Sequence, residues 1–222
     1  MANHLDLEEQ EQLDELKHFW KQYGNFVTGA LLAALTAFAG WNGYQQWERS
    51  QAAQAAGMFD EVERVVISGD VVMAERAFSD IKERFGRTAY AHQSGLLIAK
   101  LAYEKEKPEV AKSVLTWVAE KSSDEGYAAI AKLRLSGVFM DEKSFDAALK
   151  LLDAATPLEF AGLFSDRKGD IYAAQGKAIE ARAEYQKAYA TFDERSDYRR
   201  LVEIKLNAVG GQVPLTSEGK KQ

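Results

Sequence analysis

The chain has 222 residues, 46% hydrophobic and 28% charged, with a net charge of −6 and no cysteine. That excludes disulfides and thiol chemistry, and so weak a charge argues against nucleic acid as the main partner. Three prolines against abundant Ala, Glu, Lys and Leu point to an all-α fold. The first 49 residues carry three Lys/Arg and seven Asp/Glu, which leaves a near-balanced 25 and 27 for the remainder.

Residues 1–21 form an acidic segment in which Leu13, Leu16, Trp20 and Tyr23 begin a stripe of three-to-four spacing. That pattern predicts an amphipathic helix, either lying at an interface or docking a partner. From Gln22 to Trp47 there is no charged side chain, and the centre from Phe26 to Trp41 is nearly all Ala, Leu, Phe, Val, Gly and Thr. A helix of ~20 residues crosses a ~30 Å hydrocarbon core, so this run is long enough to span a membrane. Trp20 and Tyr23 at one end, with Trp41, Tyr44 and Trp47 at the other, supply the aromatic girdles of such a span. The competing reading is a buried core helix rich in alanine. A cleaved signal peptide is disfavoured because the segment before the run is acidic rather than basic, despite Ala53–Gln54–Ala55 downstream. Lys17 and Lys21 balance Arg49 and Arg64 across the run, so charge gives only a slight lean towards an N-terminus on the cytoplasmic side. Gly29, Ala33 and Ala37 fall four apart and form a candidate face for packing against another membrane helix.

Residues 48–209 repeat. The clearest unit runs from Gly162 to Tyr189, with Gly169, Tyr172, Gly176, Ala181, Tyr185 and Ala188 at the small and large offsets of a tetratricopeptide helix pair. Gly169 and Ala181 are expected where the two helices cross, with Gly176 in the turn. Weaker copies place Ser136, Phe139, Ala148, Leu152 and Ala155 in one unit and Ala99, Ala102, Ala111, Leu115 and Val118 in another. The most divergent copy holds Val62, Val65, Gly69, Ala74, Phe78 and Ile81. The second-helix alanines at 74, 111, 148 and 181 recur at intervals of 37, 37 and 33. The expected architecture is one N-terminal transmembrane helix followed by an α-solenoid of about four helix pairs. A capping helix, RSDYRRLVEIKLNAVG, follows with Tyr198, Leu201, Ile204 and Leu206 apolar, and residues 210–222 are expected to be a disordered tail.

No catalytic, cofactor or metal motif stands out. The three histidines, His4, His18 and His92, lack metal spacing, and there is neither a phosphate loop nor a nucleophile turn. Asp166 and Asp170 read as a solvated helix face, with contact to a basic ligand as the sharper alternative. The expectation is a non-enzymatic protein with no small-molecule substrate. Arrays of this kind bind extended peptides along the first helix of each pair. The inward offsets give Phe59, Val66, Leu96, Tyr103, Ile130, Leu133, Met140 and Leu163 as a candidate groove, each equally open to burial between repeats. Only Lys100, Glu63, Asp166 and Asp170 stand beside them as charges, with no cluster of Lys, Arg and Asn to clamp a carboxylate.

LKHFWKQYGN before the run, GWNGYQQW at its end and the four helix pairs together resemble the ancillary SecYEG translocon subunits of Gram-negative bacteria. The resemblance covers essentially the whole chain. It implies an inner-membrane protein with a cytoplasmic N-terminus and a periplasmic repeat domain, without catalytic residues. It further implies association with SecYEG and with the membrane-anchored periplasmic chaperone PpiD. The implied role is passing emerging, unfolded secretory proteins to periplasmic chaperones, with a connection to envelope stress. A tethered scaffold for a different envelope assembly is the alternative.

Overall fold

The structure is a computed structural model that describes residues 7–154 and 156–212, with side chains from residue 11 onward. Ala155 and the expected tail from residue 213 lie outside the described residues, as do residues 1–6. Among the described residues the fold is helical throughout, and the chain divides into two compact units, Met1–Gln51 and Ala52–Gln222.

Helix α1, Leu7–Ser68, supplies the first unit and continues into the second. The chain's first proline is Pro108, so nothing in this stretch forces a break, and no break marks residue 22 or residue 48. Residues 22–47 alone extend about 39 Å as a helix. Within that stretch the large apolar side chains face outward all round: Phe26 is 77% exposed and Phe38 67%. A core helix would have covered them, so the buried-core reading fails on this point. Length and composition make this the one candidate for a membrane span among the described residues. Two polar side chains of the run bond back to their own helix, as a hydrocarbon environment favours. Thr36 Oγ1 donates to the Leu32 carbonyl at 2.8 Å and Asn42 Nδ2 to the Phe38 carbonyl at 3.0 Å.

The second unit is a stack of antiparallel helix pairs. Residues 52–68 of α1 pair with α2 (Val71–Phe85), α3 (Ala89–Glu104) with α4 (Pro108–Lys121), and α5 (Glu125–Asp141) with α6 (Phe145–Leu152). After a short 3-10 turn at Leu158–Phe160, α7 (Ala161–Ala174) pairs with α8 (Ala178–Thr191), and α9 (Asp197–Ala208) follows. Three helices, α2, α3 and α5, start on capping side chains. Asp70 accepts from the Met73 amide, Thr88 from Ala91, and Asp124 from both Gly126 and Tyr127.

The repeat shows most sharply in the turns. Gly69, Glu106, Lys143 and Gly176 have positive φ values of 75°, 57°, 60° and 74°. Each stands five residues before one of the alanines 74, 111, 148 and 181, all of which are fully buried. The amide after each of the last three turn residues reaches back to close the helix: Lys107 to the Ala102 carbonyl, Ser144 to Phe139 and Lys177 to Tyr172. Gly210, at φ 75°, repeats the device after α9, with Gly211 bonded to the Leu206 carbonyl. Helix α9 thus occupies the first-helix place of a fifth unit. It buries Val202 and Leu206 against α8, whereas Leu201 and Ile204 point out, Ile204 at 66% exposure. The apolar face expected from the sequence is therefore rotated by about one position.

The core is built from apolar clusters along the stack. One joins Ala55, Phe59 and Val62 through Phe78, Ile81 and Ile98 to Leu135 and Val138. The others centre on Ala148, Leu152, Phe164 and Ile171, and on Ala181, Tyr185, Val202 and Leu206. The crossing in the last pair is tighter than an alanine contact. A Cβ on Gly169 would lie 2.5 Å from the Tyr185 ring, so the glycine yields to the tyrosine rather than to Ala181. Gly95 does the same for Val118 at 2.5 Å, a crossing that the sequence repeat did not reveal.

Candidate peptide-binding groove

First helices α3, α5 and α7 stand side by side. Between them lies a cavity of about 450 Å³, with Leu115 of α4 at its floor. Helix α3 presents Ala99, Lys100 and Tyr103; α5 presents Arg134, Gly137, Val138, Met140 and Asp141; α7 adds Arg167. The spacing explains the set: 100 and 103, or 134, 137 and 141, fall on one face of a helix at offsets of three and four. Tyr103 is 49% exposed and donates its hydroxyl proton to Asp141. That hydrogen bond, with the carboxylate's charge, pushes the Tyr103 pKa up, while Arg167 pulls it the other way. Arg134 donates one Nη1–H to the Leu96 carbonyl at 2.8 Å, across to α3.

The candidate groove residues separate by burial. Tyr103 and Met140 both line the cavity. Phe59 and Leu96 are buried in the core, where Phe59 packs on Tyr90, and cannot meet a peptide. Val66 and Ile130 are half-buried against the first cluster, Leu133 against the second, and Leu163 is half-buried on α7. Gly29 and Ala37 flank Ala33 on one exposed side of α1, and a Cβ on Gly29 would meet nothing within 4 Å.

Two readings of the charges change. The cavity is lined by Lys100, Arg134 and Arg167, a basic cluster that projection along single helices had missed because three helices contribute to it. Asp166, taken as solvated, is only 2% exposed. Lys205 of α9 lies 2.8 Å from its carboxylate and 2.9 Å from that of Asp170. Tyr198 donates to Asp166 at 2.7 Å and Tyr185 to Asp170 at 2.9 Å. Burial first, then these carboxylates, drives both tyrosine pKa values far above the ordinary range. This pair is structural: it locks α9 onto α7. His92 is likewise a core residue, packed on Trp117 and Tyr127, and burial lowers its pKa against the pull of Asp124.

Residues 17–211 match the family described as a tetratricopeptide repeat-like domain. Relatives called ancillary SecYEG translocon subunit are similar along nearly the whole chain. The Neisseria gonorrhoeae protein is 32% identical over 94% of this chain and 100% of its own length. The Haemophilus influenzae protein is 28% identical over 90% and 97%, and that of Escherichia coli 24% over 90% and 95%. Anchor-length apolar helix, repeat stack and end-to-end similarity agree, and the chain belongs to the ancillary SecYEG translocon subunit family.

Proposed function

We propose that this chain is a non-enzymatic binding module, tethered in the inner membrane beside SecYEG, that takes up emerging secretory proteins and passes them to periplasmic chaperones such as PpiD. The observation that carries this reading is the groove between α3, α5 and α7. Ala99, Tyr103, Leu115, Val138 and Met140 offer apolar surface in a concave site of about 450 Å³, suited to extended chain segments. The relatives' name supports the Sec association. Residues 22–47 are the anchor, with 1–21 on the cytoplasmic side and 48–209 as the periplasmic array. Tethering supplies the mechanism: an array held near the translocon exit meets each emerging segment at high effective concentration, so weak contacts suffice for capture and release. Gly29, Ala33 and Ala37 are the face through which the anchor meets a partner helix.

Photocrosslinking from Tyr103 and Met140 in the membrane-embedded protein tests the reading. Many different unfolded secretory chains are expected at both positions. A single folded partner at both would favour the scaffold reading instead.

A further inference from the structure

The cavity is positive in a chain that is otherwise acidic. Three cations, Lys100, Arg134 and Arg167, line it against one carboxylate, Asp141, which already accepts the Tyr103 hydroxyl. The chain as a whole carries −6. Arg167 lies across α5 at Gly137, where an added Cβ would touch its Nη1 at 3.6 Å. Gly137 is one helical turn from Arg134, so the two guanidinium-bearing residues converge on the same stretch of groove. Among the described residues neither has a carboxylate within ion-pair distance. Arg134 has only the Leu96 carbonyl, and Lys100 is 3.8 Å from Glu104. Several half-buried cations elsewhere are matched, as Lys112 is by Glu109 and Glu142, Lys168 by Asp153 and Lys205 by Asp166, whereas the two arginines of this cavity converge without such a partner. Unmatched guanidinium groups beside an apolar floor form a site for an anion carried on an apolar segment. Arginine suits a carboxylate best, through paired N–H donors in a fixed plane.

We propose that Arg134 and Arg167, with Lys100 beside them, make the groove selective for extended peptide segments that carry Asp or Glu next to apolar residues. This rests on the groove being a peptide site and adds what it selects. Apolar residues of the segment lie on Ala99, Leu115, Val138 and Met140 while its carboxylates meet the cations. Segments rich in Lys or Arg are turned away by like charge, which discriminates as strongly as the attraction does.

The test uses the full chain in phosphatidylcholine nanodiscs and fluorescein-labelled, unstructured peptides. The peptides share their Leu and Tyr positions and carry Glu, Gln or Lys between them. Anisotropy titrations should show the Glu peptide binding about tenfold tighter than the Gln peptide and the Lys peptide weakest, with the Glu preference shrinking as salt rises. Arg167→Gln should remove most of that preference, and Arg167→Glu should shift it towards the Lys peptide. Lys100→Glu, at an exposed position, should act in the same direction and serves if an Arg167 variant misfolds by circular dichroism. Equal binding of all three peptides, or preferences unchanged in both variants, overturns the carboxylate selectivity while leaving peptide binding intact. No binding by any peptide overturns the groove reading itself. Competition by phosphatidylglycerol vesicles, with no Glu preference among the peptides, assigns the cations to a lipid headgroup and overturns the proposal as well.

Discussion

Gly169 lacks a side chain because Tyr185 fills the space one would occupy, with ring atoms 2.5 Å from the missing Cβ. The ring cannot retreat easily, since it is 3% exposed and its hydroxyl is held by Asp170. Gly169→Ala should therefore destabilise the domain by about 1–3 kcal/mol, the cost of overpacking, read from urea unfolding of the detergent-solubilised chain. Glu106 and Lys143 pose the opposite problem: they adopt the left-handed turn that glycine takes at 69 and 176. The left-handed conformation costs a residue with a Cβ about 1–2 kcal/mol, and glycine's extra freedom in the unfolded chain returns about 0.4–1 of that. Glu106→Gly should then raise stability by up to about 1.6 kcal/mol in the same assay. At Tyr198 the sign runs with alkali. The hydroxyl's pKa is raised in the folded state, so its contribution is complete below the ordinary value near 10 and is lost as pH climbs above it. Tyr198→Phe should flatten the loss of stability between about pH 10 and 12, in urea midpoints measured across that range. The sequence exposed the four crossing alanines because burial at a fixed interval leaves a visible trace. It did not expose Asp166, whose partner Lys205 lies 39 positions away and on another helix. A charge on a helix surface carries no mark of what will cover it.

Among the elements, α1 contributes residues to two different helical environments, one in each unit. Its run of outward apolar side chains has no core to enter within its own unit, and its aromatic residues sit towards the ends. An arginine near the middle of a span costs about 2.5–3.5 kcal/mol for insertion. Leu35→Arg, at a position 62% exposed, should move a measurable share of the protein from the carbonate-resistant membrane fraction to the soluble one. The paired helices were equally legible, because small residues at crossings and turn residues share one register. Helix α9 was legible as an element but not in its orientation. Tyr198, Leu201, Ile204 and Leu206 make an apolar list, yet contact with α8 selects Val202 and Leu206 and leaves Leu201 and Ile204 outside. Composition names the apolar residues of a helix, and only packing decides which of them face inward.

At the scale of the whole molecule, the groove illustrates what sequence periodicity conceals. Tyr103 and Met140, two of the residues expected to face a groove, line the cavity between α3, α5 and α7, whereas Phe59 and Leu96 obey similar offsets and are core. The basic lining comes from three helices, whose relative rotation no single-helix pattern encodes. The account as a whole requires the repeat array to work on the far side of the membrane from residues 1–21. Protease added to spheroplasts tests this most directly, followed by blotting with antibodies to each end. The prediction is that the C-terminal domain is digested while a short N-terminal fragment survives until the membrane is dissolved. A domain that stays intact in sealed spheroplasts, with the N-terminal tail clipped instead, would contradict it.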